Sequence, residues 1–253
     1  MKDRTIINIA FFVMLIVLSQ KICLGQKATY NWNAAGGGSY SFASNWTPSR
    51  TAPTENDTLI FSNGGTYTVS SVTPFETVGK IVVSNNTKVT FTATSAITYT
   101  IKGVEGTDFD VASGCEFNLS GSNAITFILG TGATGLVSGG VTIETAAHKI
   151  DVQDENGLIF SSGAVFTQNC SGFAFTNTGN PNVAIFQSGS TLIFKTGSNP
   201  FGFTAPLSKV VFQKGSLYSH QSSNTPSFPG RYYSNFEYKY TTNLTALGLN
   251  CDN

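Results

Sequence analysis

An all-β chain wound as a single-stranded, right-handed parallel β-helix, with coils of about 22–28 residues, is the fold class the sequence predicts. Three observations predict it. A hydrophobic step recurs as "IFSSGA" from Ile159, "IFQSGS" from Ile185 and "VFQKGS" from Val211, placing Phe160, Phe186 and Phe212 at intervals of 26 residues. A glycine follows each phenylalanine by three positions (Gly163, Gly189, Gly215) and a large apolar residue by six (Phe166, Leu192, Tyr218). The segments "KIVVS", "KVTFTAT", "ITYTI", "VTIET" and "TLIF" are short, β-branched and aromatic, which suits a pleated surface, and no long window carries a helical apolar stripe.

Residues 1–25 read as a secretory signal peptide. Lys2 and Arg4 make a positive start, Ile6 to Leu18 an apolar run of 13 residues, and Gly25 the small residue before cleavage at Gln26. The run is short of the ~20 apolar residues a membrane span needs. Ile22 is not the small residue that lipoprotein processing at Cys23 wants. Removing the leader takes Lys+Arg from 14 to 11 and Asp+Glu from 14 to 13, leaving a charge of about −2. No basic stripe remains to neutralise phosphates, so nucleic acid is not an expected partner. The chain is 40% apolar, enough to build a core. Cys115, Cys170 and Cys251 remain, odd in number and widely spaced, which suits neither a disulfide framework nor a zinc site. Cys115 and Cys170 are expected to be buried thiols, not bonded to each other.

Residues 26–63 form an entry or cap segment, and residues 64–240 form the coils. Anchors at Gly64, Asn86, Gly114, Gly139, Gly163, Gly189 and Gly215 are 22, 28, 25, 24, 26 and 26 residues apart, so insertions fall in turns while the core columns hold. Propeller blades need roughly 40–50 residues per repeat, which excludes them. In a β-helix equivalent residues of successive coils sit about 4.8 Å apart, so the phenylalanines stack into an interior ladder. Phe175, Phe201 and Phe228 make a second column, and "TGNP", "TGSNP" and "NTPSFPG" mark turns between columns. Residues 241–253 carry no coil pattern and are expected to be an irregular tail, with three readings open: a fragment, another export route, or a periplasmic protein. The strand "FEYKY" before them would then present an open edge, prone to self-association.

The entry run "YNWNAAGGGSYSFASNWTPSRTAPTENDTLIFSNG", with Trp32, Gly36 to Gly38 and Trp46, resembles the opening of secreted β-helical proteins of Bacteroidetes, many of them type IX secretion cargo. It is also similar to autotransporter passenger repeats. "FQSGS", "NPFGF", "VVFQKGSLY" and "GRYYSNFEY" resemble the same group. The resemblance covers residues 30–240 and implies fold and export, with no catalytic residue. The C-terminal sorting domain of type IX cargo has no counterpart in "TTNLTALGLNCDN", which leaves the exit route open.

Chemistry is sparse. His148 precedes a strand and His220 lies in "YSHQSSNTP", so both read as solvated imidazoles, and no nucleophile elbow or catalytic cysteine signature occurs. Asp108 and Asp110 alternate in "TDFDV", and Asp151, Asp154 and Glu155 cluster in "IDVQDENG". Paired carboxylates can work as acid and nucleophile or hold a hard cation. Here an outward strand face and a hydrated turn are the simpler readings, since no calcium-loop spacing is present. No metal or cofactor is expected. Tyr232, Tyr233, Phe236, Tyr238 and Tyr240 crowd the last coil; Tyr238 is assigned to the interior, while Tyr232 and Tyr233 remain candidates to stack on sugars. The candidate ligand surface is therefore Tyr232, Tyr233, Asp151, Asp154 and Glu155. The expected function is an exported, non-catalytic surface protein: an adhesin, a spacer or a carbohydrate-contacting module. The alternative is a polysaccharide lyase or glycoside hydrolase using an acidic cluster. Ice binding is disfavoured because the threonines keep no 26-residue column.

Overall fold

Strict alternation sets the local structure. In Ile97–Ile101, "ITYTI", the residues Ile97, Tyr99 and Ile101 are buried and the two threonines between them face outward, the period of a half-buried strand. Of the twenty-one other strands, two to six residues long, most follow the same logic, and a single 3-10 turn at Ala43–Asn45 is the only helix among the described residues. The computed structural model describes residues 27–240. The expected signal peptide, Cys251 and the tail 241–253 lie outside the described residues.

The strands stack into three sheets. Sheet A contains Thr58–Phe61, Lys80–Val83, Phe109–Val111, Gly135–Val137, Leu158–Phe160, Ala184–Phe186 and Val210–Phe212, each paired in parallel with the next. Sheet B runs alongside from Gly38–Ser39 through Gly65–Ser70 to Leu217–His220 and ends on Asn235–Tyr238. Sheet C has four strands, from Glu76–Val78 to Lys149–Val152. In the first four coils the chain visits A, B and C in turn, so each circuit adds one strand to each sheet, and the last three coils add strands to A and B alone. This is a parallel β-helix, and sheet A counts seven coils.

The phenylalanine step is the interior ladder. Phe160, Phe186 and Phe212 occupy one register column, with rings stacked at 4.4 and 5.3 Å, and the column continues upstream through Val137, Val111, Val83 and Phe61. Facing it in sheet B are Tyr67, Val89, Phe117, Val141, Phe166, Leu192, Tyr218 and Phe236. The glycine positions between A and B carry a turn: Gly163, Gly189 and Gly215 all have φ between 80° and 90°, where a Cβ is strained. Gly139 is an exception to the expected column. The coil that contains it has a turn two residues shorter than its neighbours, so Gly139 aligns with Cys115 and Ala164, next to Gly114 and Gly163. It is glycine for a different reason. A Cβ there would lie 2.3 Å from the carbonyl oxygen of Cys115.

The first end of the helix is sealed by aromatics and ions. Trp46–Thr47 pairs antiparallel with Thr29–Trp32, which pairs parallel with Thr58–Phe61. Trp32 and Trp46 meet edge to face at 5.0 Å and close the apolar interior. Arg50 is buried against Tyr40 and bridges Asp57 at 3.0 Å and Glu76 at 2.7 Å. The Tyr40 hydroxyl donates to Glu76, and Thr54 donates its backbone N–H and its hydroxyl to Asp57, so the buried carboxylates are fully engaged.

Candidate binding cleft

Sheet C stops after Lys149–Val152, and only a single bridge, Ile150 to Phe175, carries its pairing further. In the last three coils the third side is made instead by loops, residues 171–183, 197–209 and 221–234. Loops held on a rigid scaffold are where binding surfaces are built. A loop buried against its neighbours needs donors for its carbonyl oxygens, and the sequence supplies them at the same coils.

The inner column of sheet B shows the change. Upstream it reads Val69, Phe91, Leu119 and Ile143; from the fifth coil it reads Gln168, Phe194, His220 and Tyr238. The Gln168 amide nitrogen donates to Ser198 O at 2.7 Å and to Gly172 O at 3.2 Å, tying the first two loops together. His220 Nε2 donates to Asn224 O at 2.7 Å and holds the third. Two cations complete the bracing. Lys209, fully buried, donates to Asn180 O at 2.6 Å and to Thr178 O, with its ammonium 4.8 Å from the Phe203 ring. Arg231 donates to the carbonyl oxygens of Phe203 and Leu207 and lies 4.4 Å over the Phe201 ring. Lys209 thus joins the first loop to the second, and Arg231 joins the second to the third. Burial lowers the pKa of both cations.

Between the braced loops run two hollows of about 420 and 520 Å³ that share Phe173, Asn199 and Ser227, forming one continuous cleft. Phe173 and Phe203 are half-buried and face it, with Phe194, Tyr218 and His220 deeper in the floor. Amides and hydroxyls, among them Asn177, Asn199, Thr204 and Ser227, line the rest. Asn199 Oδ1 accepts the Phe201 N–H at 3.0 Å, which fixes that amide's orientation.

The residues singled out from sequence distribute differently. Tyr232 is 87% exposed and borders a third hollow of about 300 Å³, which shares Phe201 and Arg231 with the cleft lining. Tyr233 turns inward: its hydroxyl donates to Ser227 O at 2.6 Å and its half-buried ring packs on Phe212 and Tyr218, covering the last coil. Tyr238 is interior as expected, but it stacks on His220 at 5.6 Å in sheet B and not beneath Phe212. Asp151 is half-buried; burial raises its pKa, and the attraction of Lys209 works against that rise. Asp154 accepts the Gly132 N–H at 2.5 Å, which accounts for it as a turn residue, and Glu155 is exposed. None of these three carboxylates lines the cleft, and among the described residues no group of three His, Cys, Asp or Glu is positioned to hold a metal. Cys115 and Cys170 are buried and free.

Three sequence readings are corrected. Asp108 does not sit on an outward face; it is fully buried and accepts N–H groups of Val104 at 2.7 Å and Thr134 at 2.8 Å, capping a turn. His148 is not solvated; its Nδ1 accepts the Ile125 N–H at 2.9 Å and its Nε2 faces Gly121 O. His220 is not in a polar loop but on the strand Leu217–His220, under the cleft. Burial lowers the pKa of both imidazoles. The cleft itself was missed, although the glycine and proline clusters that build it were visible as turn signals. No family model, curated protein or solved structure matches the chain.

Proposed function

We propose that this chain is an exported, non-catalytic β-helical protein of the cell surface or medium, whose loop-built cleft holds a segment of extracellular polysaccharide. The cleft lining is the observation that carries the reading. The half-buried rings of Phe173 and Phe203 offer apolar faces to a sugar ring, and the surrounding amides and hydroxyls match sugar hydroxyls as donors and acceptors. Bracing by Gln168, His220, Lys209 and Arg231 fixes those groups before any ligand arrives, which lowers the ordering entropy of binding.

Export is supported by the leader-like residues 1–25 and by the likeness of the entry run to secreted Bacteroidetes β-helices. Among the described residues no helix is long and apolar enough to cross a membrane. The carboxylates on which a lyase or hydrolase reading would rest are turned to backbone donors or lie away from the cleft, so a non-catalytic role is the better supported of the two. Two measurements test the proposal. N-terminal sequencing of protein recovered from the periplasm or medium is expected to begin at Gln26. Glycan-array binding by the mature chain is expected, with Phe173→Ala reducing it at least tenfold; an array without signal would sink the carbohydrate reading.

A further inference from the structure

We infer that the loop-built end takes an acidic glycan, with a carboxylate or sulfate of the ligand held at Arg231; this rests on the carbohydrate reading above and adds the ligand's charge class. The loop sequences set the charge. Residues 171–183, 197–209 and 221–234 contain Lys209 and Arg231 and no aspartate or glutamate. No carboxylate lines any of the three hollows. Where the chain buries a guanidinium to close its core, at Arg50, it supplies Asp57 and Glu76 as counter-charges. At Arg231 it supplies none, and no ion pair among the described residues includes that side chain.

Bonds to carbonyl oxygens orient a guanidinium without cancelling its charge. Two N–H groups of Arg231 go to the carbonyl oxygens of Leu207 and Phe203, and Nε–H is enclosed without an acceptor. One N–H remains on each terminal nitrogen. The guanidinium stands where the hollows meet: Leu207 lines the third hollow, Phe203 lines the cleft, and Phe201 beneath its face borders both. Lys209, fully buried one loop back, adds positive field, with Asp151 as its counter-charge at longer range. An incoming anion therefore meets an oriented, partly desolvated cation that lacks a partner, and charge-assisted hydrogen bonds offset its own loss of water. A neutral glycan would leave that cation uncompensated. Beside the charge, the exposed Tyr232 ring and Leu207 give the sugar ring an apolar face.

The test is calorimetric titration of the mature protein with oligogalacturonate, oligoalginate and a sulfated oligomer, against neutral gluco-, manno-, xylo- and galacto-oligomers and against sodium sulfate. At least one anionic series should bind about tenfold tighter than every neutral one at ~50 mM NaCl and weaken steeply by ~500 mM. Which series wins tells carboxylate from sulfate. Arg231→Gln should erase the preference. Because Arg231 also braces two loops, Asn182→Asp serves as a second variant that keeps the brace. Asn182 is exposed on the third hollow, with a φ of 54° that aspartate also tolerates. Its added carboxylate should weaken anionic binding severalfold, leaving neutral binding and the melting temperature unchanged. Neutral oligomers bound as tightly as anionic ones, or an anionic preference undiminished in Arg231→Gln, would overturn the acidic-glycan inference and leave the carbohydrate reading standing. If Arg231→Gln weakened both classes alike, an undiminished preference in Asn182→Asp would overturn it too. Sodium sulfate bound as tightly as the oligomers would overturn it in favour of a free anion. Failure of every oligomer to bind would overturn both readings.

Discussion

The two ends of the coil each bury cations, yet they compensate them differently. At the first end Arg50 meets two carboxylates, Asp57 and Glu76, and the Tyr40 hydroxyl, so charge cancels within one closed cluster. At the other end Lys209 and Arg231 meet carbonyl oxygens and aromatic faces, with Asp151 only at longer range from Lys209. The first arrangement closes a core. The second shapes loops whose lining stays open to a ligand. The difference teaches that a buried cation is a seal when its counter-charges are buried with it, and a scaffold for a site when its partners are backbone dipoles.

The largest expected effect is therefore at the first end. Arg50→Met leaves a fully buried Asp57 and a nearly buried Glu76 uncompensated, and is expected to lower stability by about 3–5 kcal/mol in urea denaturation. A loss below about 1 kcal/mol would show the cluster to be more hydrated than its burial implies. Glycan binding per folded molecule should not change, because Arg50 is remote from the cleft.

Phe186→Ala probes what the two ends share. Its ring is fully buried between Phe160 and Phe212, so truncation should cost about 3–5 kcal/mol, with little slack for the neighbours to collapse. Lys209→Met comes next. It removes donors from two carbonyl oxygens and strands no opposite charge in a contact pair, so about 1–3 kcal/mol is expected. Its binding defect should exceed that of Arg50→Met, in contrast to its smaller stability defect. If Lys209→Met proved the more destabilising of the pair and bound glycan normally, the distinction between seal and scaffold would be lost.

Legibility in the sequence follows the same division. The ladder could be read because Phe160, Phe186 and Phe212 repeat at constant spacing and most strands alternate. Gly139 was assigned to the wrong column because a turn shortened by two residues leaves the apolar pattern intact while shifting the register. His148, His220 and Asp108 looked hydrated because their partners are backbone groups brought from 23 to 27 residues away, or from the next loop, and backbone groups leave no trace in a sequence. The cleft escaped notice for a related reason. It exists where the repeat fails, and the signal that could have found it was the coincidence of polar Gln168 and His220 in an apolar column with glycine- and proline-rich turns beside them.

The smallest expected effect is a pH dependence that separates the two histidines. At His148 the Ile125 N–H points at Nδ1, so the proton resides on Nε2, facing Gly121 O. At His220 the proton on Nε2 faces Asn224 O, and the Tyr218 hydroxyl lies 3.2 Å from Nδ1. Burial lowers both pKa values below the ordinary 6.5, so the unfolded chain takes up protons that the folded one refuses. The histidine contribution to stability is then complete above about pH 6.5 and is lost as pH falls toward the lowered folded values. Carboxylates at ordinary values near ~4 act below that window, and Asp151, which burial raises, is common to all three proteins compared below. Protonated His148 would set two N–H groups against each other, because the Ile125 amide cannot turn. Protonated His220 would be tolerated better, because the Tyr218 hydroxyl can rotate and accept. Melting temperatures at pH 7.5 and 5.5 should therefore differ for the native chain, less for His148→Gln, and nearly as much as native for His220→Gln. Equal slopes in all three proteins would mean that neither imidazole is held neutral by its surroundings.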